Sequence, residues 1–234
     1  MRKQPILSML LVVLAVALGM AGCSGRSEKE SQAKPAVAPV QPAAMAPVDR
    51  TGWPVIVAFG DSLTFGQGVD PDKNYPKQLQ AELDRLGYQY RVINSGISGD
   101  TTAGGVNRVE SVLKLKPQIV ILELGANDGL QGKSVKEMRN NLAKLIERFQ
   151  QEKVTVVLAG MQIPPNYGPE YTGDFQQTFV DLAAQYRVPL IPFFLDGAAG
   201  KPELNNPDGI HPTAEGYVYV VKNVLQTLQP LLKK

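Results

Sequence analysis

The chain has 234 residues and a formal net charge of +2, with 24 Lys and Arg residues against 22 Asp and Glu residues. The basic residues are scattered and form no cluster interleaved with aromatic residues, so nucleic acid is not expected as a partner. Cys23 is the only cysteine, which excludes an intramolecular disulfide. With a single histidine, His211, the chain has no ligand set for a transition metal, and no cofactor is expected.

Residues 1–22 predict a signal peptide of the lipoprotein type. A basic start, MRK, precedes the apolar run ILSMLLVVLAVALGMAG, which ends in small residues directly before Cys23. The sequence GMAGC resembles a bacterial lipoprotein processing site, which implies that Cys23 is lipidated and becomes the new N-terminus. The alternative is an uncleaved N-terminal membrane anchor, which the shortness of the apolar run disfavours.

Residues 23–50 are predicted to be a tether between the lipidated cysteine and one domain, residues 51–234. The tether is rich first in Ser, Lys and Glu and then in Ala, Pro and Val, without helical or strand periodicity. The domain has the length of a single unit and no internal repeat, and we expect a monomer. The predicted location is the cell envelope, and Ser24 after the cysteine favours the periplasmic side of the outer membrane if the host is Gram-negative.

The predicted elements of the domain alternate between strands and helices. Five short runs rich in Val and Ile predict buried parallel strands, namely PVIVAFG, YRVINSG, PQIVILELG, VTVVLAG and VPLIPF. NYPKQLQAELDRLG and SVKEMRNNLAKLIERFQQ have apolar residues at helical spacing, and Gly87 is the predicted C-terminal cap of the first. A final helix is predicted from Thr213, its N-cap, to Leu232. This alternation predicts an α/β fold with a doubly wound parallel sheet.

Four polar loops fall at one edge of this predicted sheet. GDSLTFGQG follows the first strand, NSGISGDTT the second and ELGANDGLQG the third, while NNPDGIHPTAEG precedes the last helix. In doubly wound folds the ligand crevice lies beyond the C-terminal ends of the strands. Taken singly, each loop also fits a structural role, since Ser62 can cap a helix, Gly99 can form a tight turn and His211 can be an exposed turn residue.

Together the loops contain the groups that acyl transfer requires, which are a nucleophile, a base, a group that orients the base and donors for an oxyanion. Ser62 offers a hydroxyl group, and His211 offers the side chain that exchanges protons nearest neutral pH. Asp208 lies three residues before His211, so a turn can hold its carboxylate against the imidazole Nδ1. Gly99 lets a backbone N–H group approach a substrate oxygen closely, and the Asn127 amide offers a second donor.

These loops carry a resemblance to a known family. FGDSLTFG, NSGISGDTT, LGANDG and DGIHP, in this order, resemble the four sequence blocks of the SGNH (GDSL) hydrolases, in particular the branch of bacterial thioesterase I, lysophospholipase L1 and arylesterase. The similarity runs from about Val55 to Leu231 and includes MQIPPNYG after the fourth strand and VPLIPFF at the fifth. It implies a three-layer α/β/α, flavodoxin-like sandwich with a mainly parallel five-stranded sheet.

The resemblance also implies roles for individual residues. By position in the four blocks, Ser62 corresponds to the nucleophile, His211 to the base and Asp208 to the partner that orients the base. The oxyanion hole corresponds to the N–H groups of Ser62 and Gly99 and to the side-chain amide of Asn127.

The segment MQIPPNYGPEYTGDF contains more Pro and Tyr than a short connection between a strand and a helix requires. It is either a rigid surface loop or the wall of an acyl pocket. The resemblance favours the second interpretation, with Met161, Ile163, Pro164 and Tyr167 contacting the substrate.

The sequence therefore predicts a serine esterase that hydrolyses carboxylic esters, or thioesters, through an acyl-enzyme, with a small-molecule ester or a lipid as substrate. GDSLT lacks the second glycine of G-x-S-x-G, and NDGLQGKS lacks the first glycine of a P-loop, which argues against those two sites. Two alternatives stay open: an O-acetyl esterase that acts on envelope polysaccharide or peptidoglycan, and a non-catalytic surface lipoprotein that binds lipid.

Overall fold

The computed structural model describes residues 48–234, and at its centre lies a parallel sheet of five strands. The strands are β1 (Val55–Gly60), β2 (Arg91–Gly96), β3 (Ile119–Glu123), β4 (Thr155–Ala159) and β5 (Leu190–Ile191). The proposed signal peptide, Cys23 and most of the proposed tether lie outside the described residues. Between residues 48 and 234, no helix is long and apolar enough to cross a membrane.

The five strands coincide with the five apolar runs of the sequence, so the strand prediction is confirmed. Residues 56–60 of β1 and all of β3 are buried, as expected for central strands with both faces covered. β5 is shorter than its run because Pro192 follows Ile191, and proline has no N–H group with which to continue a strand ladder.

Helices cover both faces of the sheet. They are α1 (Ser62–Phe65), α2 (Tyr75–Arg85), α3 (Thr102–Leu113), α4 (Ala126–Leu130), α5 (Val135–Gln151), α6 (Pro169–Tyr186) and α7 (Ala214–Leu228). α2 packs against α7, while α5 packs against both α3 and α6. The strand order is β2-β1-β3-β4-β5, which is the flavodoxin-like order. The predicted three-layer α/β/α sandwich is confirmed.

The predicted helix ends are found at α2 and α7. Gly87 follows α2 with a φ of 77°, a left-handed conformation that glycine adopts without strain. The Thr213 side chain accepts a hydrogen bond from the Gly216 N–H group and caps α7. α7 ends at Leu228, and a 3₁₀ turn, Gln229–Leu231, completes the helix that the sequence predicts.

Two long helices, α3 and α6, and the two short helices α1 and α4 were not predicted from the sequence. α3 contains adjacent glycines, Gly104 and Gly105, and glycine lowers helix propensity. Tertiary packing explains Gly105, because a Cβ atom at this position would lie 2.4 Å from Leu124 Cδ1. α6 begins at Pro169, inside the segment that the sequence analysis treated as a loop.

Candidate active site

The strand order creates a crevice at the carboxyl end of the sheet. β1 lies between β2 and β3, so the chain leaves β1 towards one side and later returns on the other side to form β3. Loops that diverge in this way leave room for a ligand. A cavity of about 670 Å³ lies here, and all four polar loops line it through Ser62, Gly99, Asn127 and His211.

Ser62 and His211 contact each other at the base of this cavity. Ser62 is the first residue of α1, two residues after the end of β1, and its Oγ lies 2.9 Å from His211 Nε2. The other ring nitrogen, Nδ1, lies 2.7 Å from Asp208 Oδ2. A proton on Nδ1 can be donated to Asp208, which leaves Nε2 free to accept the Ser62 hydroxyl proton. Ser62 is 8% exposed and His211 6%, so water has little access to the pair.

Asp208 is held by a local turn. Its Oδ1 accepts hydrogen bonds from the N–H groups of Ile210, at 3.0 Å, and of His211, at 3.1 Å. Gly209 has a φ of 75°, which suits the turn. Burial alone would raise the pKa of Asp208, but the hydrogen bonds from the imidazole and from the two N–H groups outweigh burial and lower it. The carboxyl group is therefore ionised at neutral pH, where it can orient the imidazole.

Three residues that carry N–H donors line the same cavity, namely Ser62, Gly99 and Asn127. The N–H groups of Ser62 and Gly99 donate no hydrogen bond to any residue between 48 and 234. Gly99 has a φ of 79°, in the left-handed region that favours glycine. Asn127 Nδ2 donates to Asp61 Oδ2 at 3.1 Å and to the Asp100 carbonyl oxygen at 2.8 Å. A substrate oxygen that accepts a hydrogen bond from this amide would share or replace the longer of these two bonds, the one to Asp61.

Two buried acids behind Ser62 were not identified from the sequence. Asp61 caps α1 by accepting from the Leu63 N–H group, and burial raises the pKa of Asp61 to about 6. Glu123 ends β3, and its Oε2 accepts from Thr64 Oγ1 at 2.7 Å. Burial and the Asp61 charge raise the pKa of Glu123 well above its ordinary value. In the sequence Glu123 looks like the polar end of a strand, so no local pattern indicates that its side chain is buried.

One side of the cavity is apolar. Met161, Ile163 and Pro164 line it, as the resemblance implies. Tyr167 does not line the cavity, because its hydroxyl group donates instead to the Leu130 carbonyl oxygen at 2.7 Å. Further apolar lining residues were not named from the sequence, among them Leu130, Phe193, Leu195 and Ile210. Their positions, just beyond β3 and β5 and beside the histidine, are the signal that could have indicated them.

Residues 58–219 match the model of the GDSL-like Lipase/Acylhydrolase family. This chain belongs to that family. Esterase TesA of Pseudomonas aeruginosa is 41% identical to this GDSL hydrolase over 178 residues, which cover 76% of this chain and 89% of the relative. Thioesterase 1/protease 1/lysophospholipase L1 of Escherichia coli K12 is 32% identical over 178 residues, 76% of this chain and 84% of the relative.

The solved structures agree with this assignment. A crystal structure of TesA superposes with a TM-score of 0.74 at 41% sequence identity, covering 76% of this chain and 99% of that chain. The GDSL resemblance stated from the sequence is thus confirmed. The protein is a carboxylic ester hydrolase of the GDSL type, which excludes the non-catalytic alternative.

Proposed function

We propose that this GDSL hydrolase uses Ser62 as its nucleophile, His211 as general base and Asp208 as the group that orients the imidazole. The observation that carries this proposal is the continuous chain of short contacts, 2.7 Å and 2.9 Å, from Asp208 through the imidazole to Ser62 Oγ. Ser62 Oγ attacks the carbonyl carbon, while His211 Nε2 takes the hydroxyl proton and returns it to the leaving alcohol or thiol. Water then attacks the acyl-enzyme by the same route, and Ser62 is regenerated.

The negative charge that forms on the substrate oxygen is stabilised by the N–H groups of Ser62 and Gly99 and by the Asn127 amide. We expect Asn127→Ala to lower kcat by about 10²–10³ with little change in KM, because this hydrogen bond strengthens as the charge develops. Steady-state kinetics on a soluble p-nitrophenyl ester measures both constants. Asn140→Ala, at an exposed position of α5, is the matched control. An effect on KM alone would make Asn127 a residue that binds the ground state.

The apolar side of the cavity supports an acyl chain longer than acetyl as the substrate group. Met161 and Ile163 lie on the same cavity as Ser62, together with Phe193 and Leu195. Two named relatives, an esterase and a thioesterase/lysophospholipase, support the same substrate class, which is acyl esters, acyl thioesters and lysophospholipids. No feature of the cavity favours the O-acetyl esterase alternative.

The preferred chain length tests this substrate class. Each methylene that enters an apolar site contributes about 0.8 kcal/mol, so kcat/KM on p-nitrophenyl esters should rise up to about fourfold per added carbon until the cavity is filled. Ile163→Trp should shorten the preferred chain, whereas Val180→Trp, at an exposed position of α6, should not. Highest activity on the acetyl ester, with a steep fall for longer chains, would support the O-acetyl esterase instead.

We also propose that the protein is anchored in the cell envelope by lipid on Cys23, on the periplasmic side of the outer membrane if the host is Gram-negative. Replacing residues 1–23 by a cleavable secretory signal without cysteine should move the protein from the membrane fraction to the soluble fraction. Its kcat/KM on a soluble ester should stay within about threefold of the anchored form, because every proposed catalytic group lies between residues 61 and 211.

Turnover of lipids within a bilayer should fall much more in the released protein, because a tether raises the effective concentration near the surface. Cell fractionation with immunodetection checks the location, and vesicles that contain a lysophospholipid check the turnover. A protein that stays in the membrane fraction without Cys23 would contradict the lipid anchor.

A further inference from the structure

Two buried carboxyl groups lie side by side behind Ser62, and the mechanism proposed above does not use them. Asp61 is 1% exposed and Glu123 0%. They come from the carboxyl ends of neighbouring strands, where Gly60 of β1 pairs with Glu123 of β3. Residue 60 has to be glycine here, because a Cβ atom would lie 2.3 Å from Glu123 Oε2 and 2.1 Å from Thr64 Oγ1.

The contacts of Glu123 are those of a neutral carboxyl group. Its Oε2 accepts from Thr64 Oγ1 at 2.7 Å and from the Asp61 N–H group at 3.3 Å. Its Oε1 is buried and receives no hydrogen bond from any residue between 48 and 234. An ionised carboxylate with one oxygen unpaired, beside a second carboxylate, would be doubly disfavoured by lost hydration and by repulsion. A proton on Oε1 removes the charge, so that Oε2 can accept from Thr64 and from the Asp61 N–H group without repulsion between the two carboxyl groups.

The surrounding charges leave Glu123 in this neutral state. Arg108 on α3 donates to the Gly60 carbonyl oxygen at 2.8 Å, but its charge is paired with Asp100, at 2.6 Å. No cation of the described residues forms an ion pair with Glu123. Burial and then the charge of Asp61 raise the pKa of Glu123 well above its ordinary value. The titratable groups that face the pair from the packed elements are Tyr75, Asp100, Arg108, His211 and Tyr217.

Asp61 connects Glu123 to the catalytic groups. Asp61 Oδ1 accepts from the Leu63 N–H group at 3.0 Å and so caps the helix that begins with Ser62. Asp61 Oδ2 accepts from Asn127 Nδ2 at 3.1 Å. The Asp61 carboxyl group therefore fixes the direction of the Asn127 amide together with the Asp100 carbonyl oxygen, which accepts from the same nitrogen at 2.8 Å.

We propose that Glu123 is a positioning residue that acts as a neutral acid: its protonated carboxyl group holds Asp61, and Asp61 in turn directs the Asn127 amide towards the substrate oxygen. This inference rests on the roles proposed above for Ser62 and Asn127. Glu123 touches neither the substrate nor the reacting atoms, and no proton leaves it during the reaction.

Two substitutions at Glu123 separate shape from hydrogen bonding. Glu123→Gln is neutral, has the same shape and retains a carbonyl oxygen for Thr64 and the Asp61 N–H group. We expect its kcat to stay within about threefold of the parent enzyme. Glu123→Met has a similar length without that acceptor oxygen, and its kcat should fall by about 10- to 100-fold at unchanged KM, because small misplacements of catalytic groups cost rates of this order.

Either of two outcomes would overturn the proposal. A loss in Glu123→Gln as large as that in Glu123→Met would mean that an anion is needed, and an unchanged kcat in Glu123→Met would mean that Glu123 positions nothing. If Glu123→Met does not fold, Thr64→Val removes the donor to Oε2 at constant shape, and its kcat should fall about threefold to tenfold, the value of one hydrogen bond. An unchanged kcat in that variant would equally overturn the proposal.

Two measurements test the proton without any turnover. The infrared difference spectrum between the parent enzyme and Glu123→Gln at neutral pH should contain the carbonyl stretch of a protonated carboxylic acid. Because the pKa is raised in the folded state, the stability contributed by this proton is present below the ordinary value of 4.5 and is lost as pH rises. The urea midpoint of the parent enzyme should therefore fall relative to that of Glu123→Gln as pH rises above 4.5.

A missing carbonyl band, or parallel stability profiles, would show that Glu123 is ionised and would overturn the proposal. Covalent labelling of Ser62 by a fluorophosphonate tests the proposed function separately. If Ser62 is not labelled, the proposed role of Ser62 as nucleophile is wrong. The infrared and urea results would still report whether Glu123 is protonated.

Discussion

Ser62→Ala and His211→Ala are each expected to lower kcat by about 10⁴–10⁶, and the double variant should be little worse than either single variant. Ser62 Oγ and His211 Nε2 lie 2.9 Å apart and act as one unit. Removing the hydroxyl group removes the covalent step, and removing the imidazole removes the proton acceptor that the step needs. Turnover of a p-nitrophenyl ester by the parent enzyme, the two single variants and the double variant measures these losses.

Ser98→Ala is the matched control for Ser62→Ala. Ser98 is exposed, and its Oγ donates to Gln67 Oε1 at 2.8 Å, so its loss should change kcat by less than about threefold. Circular dichroism has to show that all variants are folded, because His211 is itself buried. Losses that add up in the double variant would contradict a shared mechanism.

Asp208→Asn is expected to lower kcat by about 10³–10⁴, less than the loss in Ser62→Ala. The asparagine carbonyl oxygen can still accept from the N–H groups of Ile210 and His211, so the turn should persist. The amide that replaces Oδ2 donates instead of accepting, however, and it favours the imidazole tautomer with its proton on Nε2. In that tautomer the imidazole cannot take the Ser62 proton. The same ester assay measures the loss.

Asp196→Asn provides the comparison for Asp208→Asn. Asp196 is an exposed acid in another loop before α7, and it forms no ion pair or hydrogen bond with His211 in the described part of the chain. Its substitution should leave kcat within about threefold. Near-full activity in Asp208→Asn would show that Asp208 only forms the turn, and Asp196 would be the next acid to test as the partner of His211.

Local patterns were enough to predict the strands. Runs such as PQIVILELG are apolar throughout because central parallel strands are covered on both faces, and β3 is buried along its whole length. α3, by contrast, was not predicted because its local pattern is weak: Gly104 and Gly105 lower its helix propensity. Contact with Leu124, a residue from another part of the chain, explains Gly105, and no local pattern contains that contact.

The proposed catalytic residues could be named from the sequence because each carries a rare chemical property in a recognisable loop. His211 is the only histidine, and Asp208 lies within one turn of it, so their contact is a local event. Ser62, Gly99 and Asn127 follow three successive strands, and the ends of parallel strands meet at one edge of a sheet. Residue type and order along the chain therefore determined the candidate nucleophile, base, orienting acid and oxyanion donors, together with the family.

Only the tertiary structure decided which side chains surround these groups. Tyr167 belongs to the segment assigned to the pocket wall, yet its hydroxyl group turns to the Leu130 carbonyl oxygen, and Leu130 lines the cavity instead. Glu123 reads as an ordinary polar residue at the end of a strand, but it is fully buried against Asp61, 62 residues away in sequence. Burial and the charge of a neighbour set the protonation of a carboxyl group. Both arise from contacts between distant parts of the chain, so the neutral acid behind Ser62 becomes visible only when the sheet is assembled.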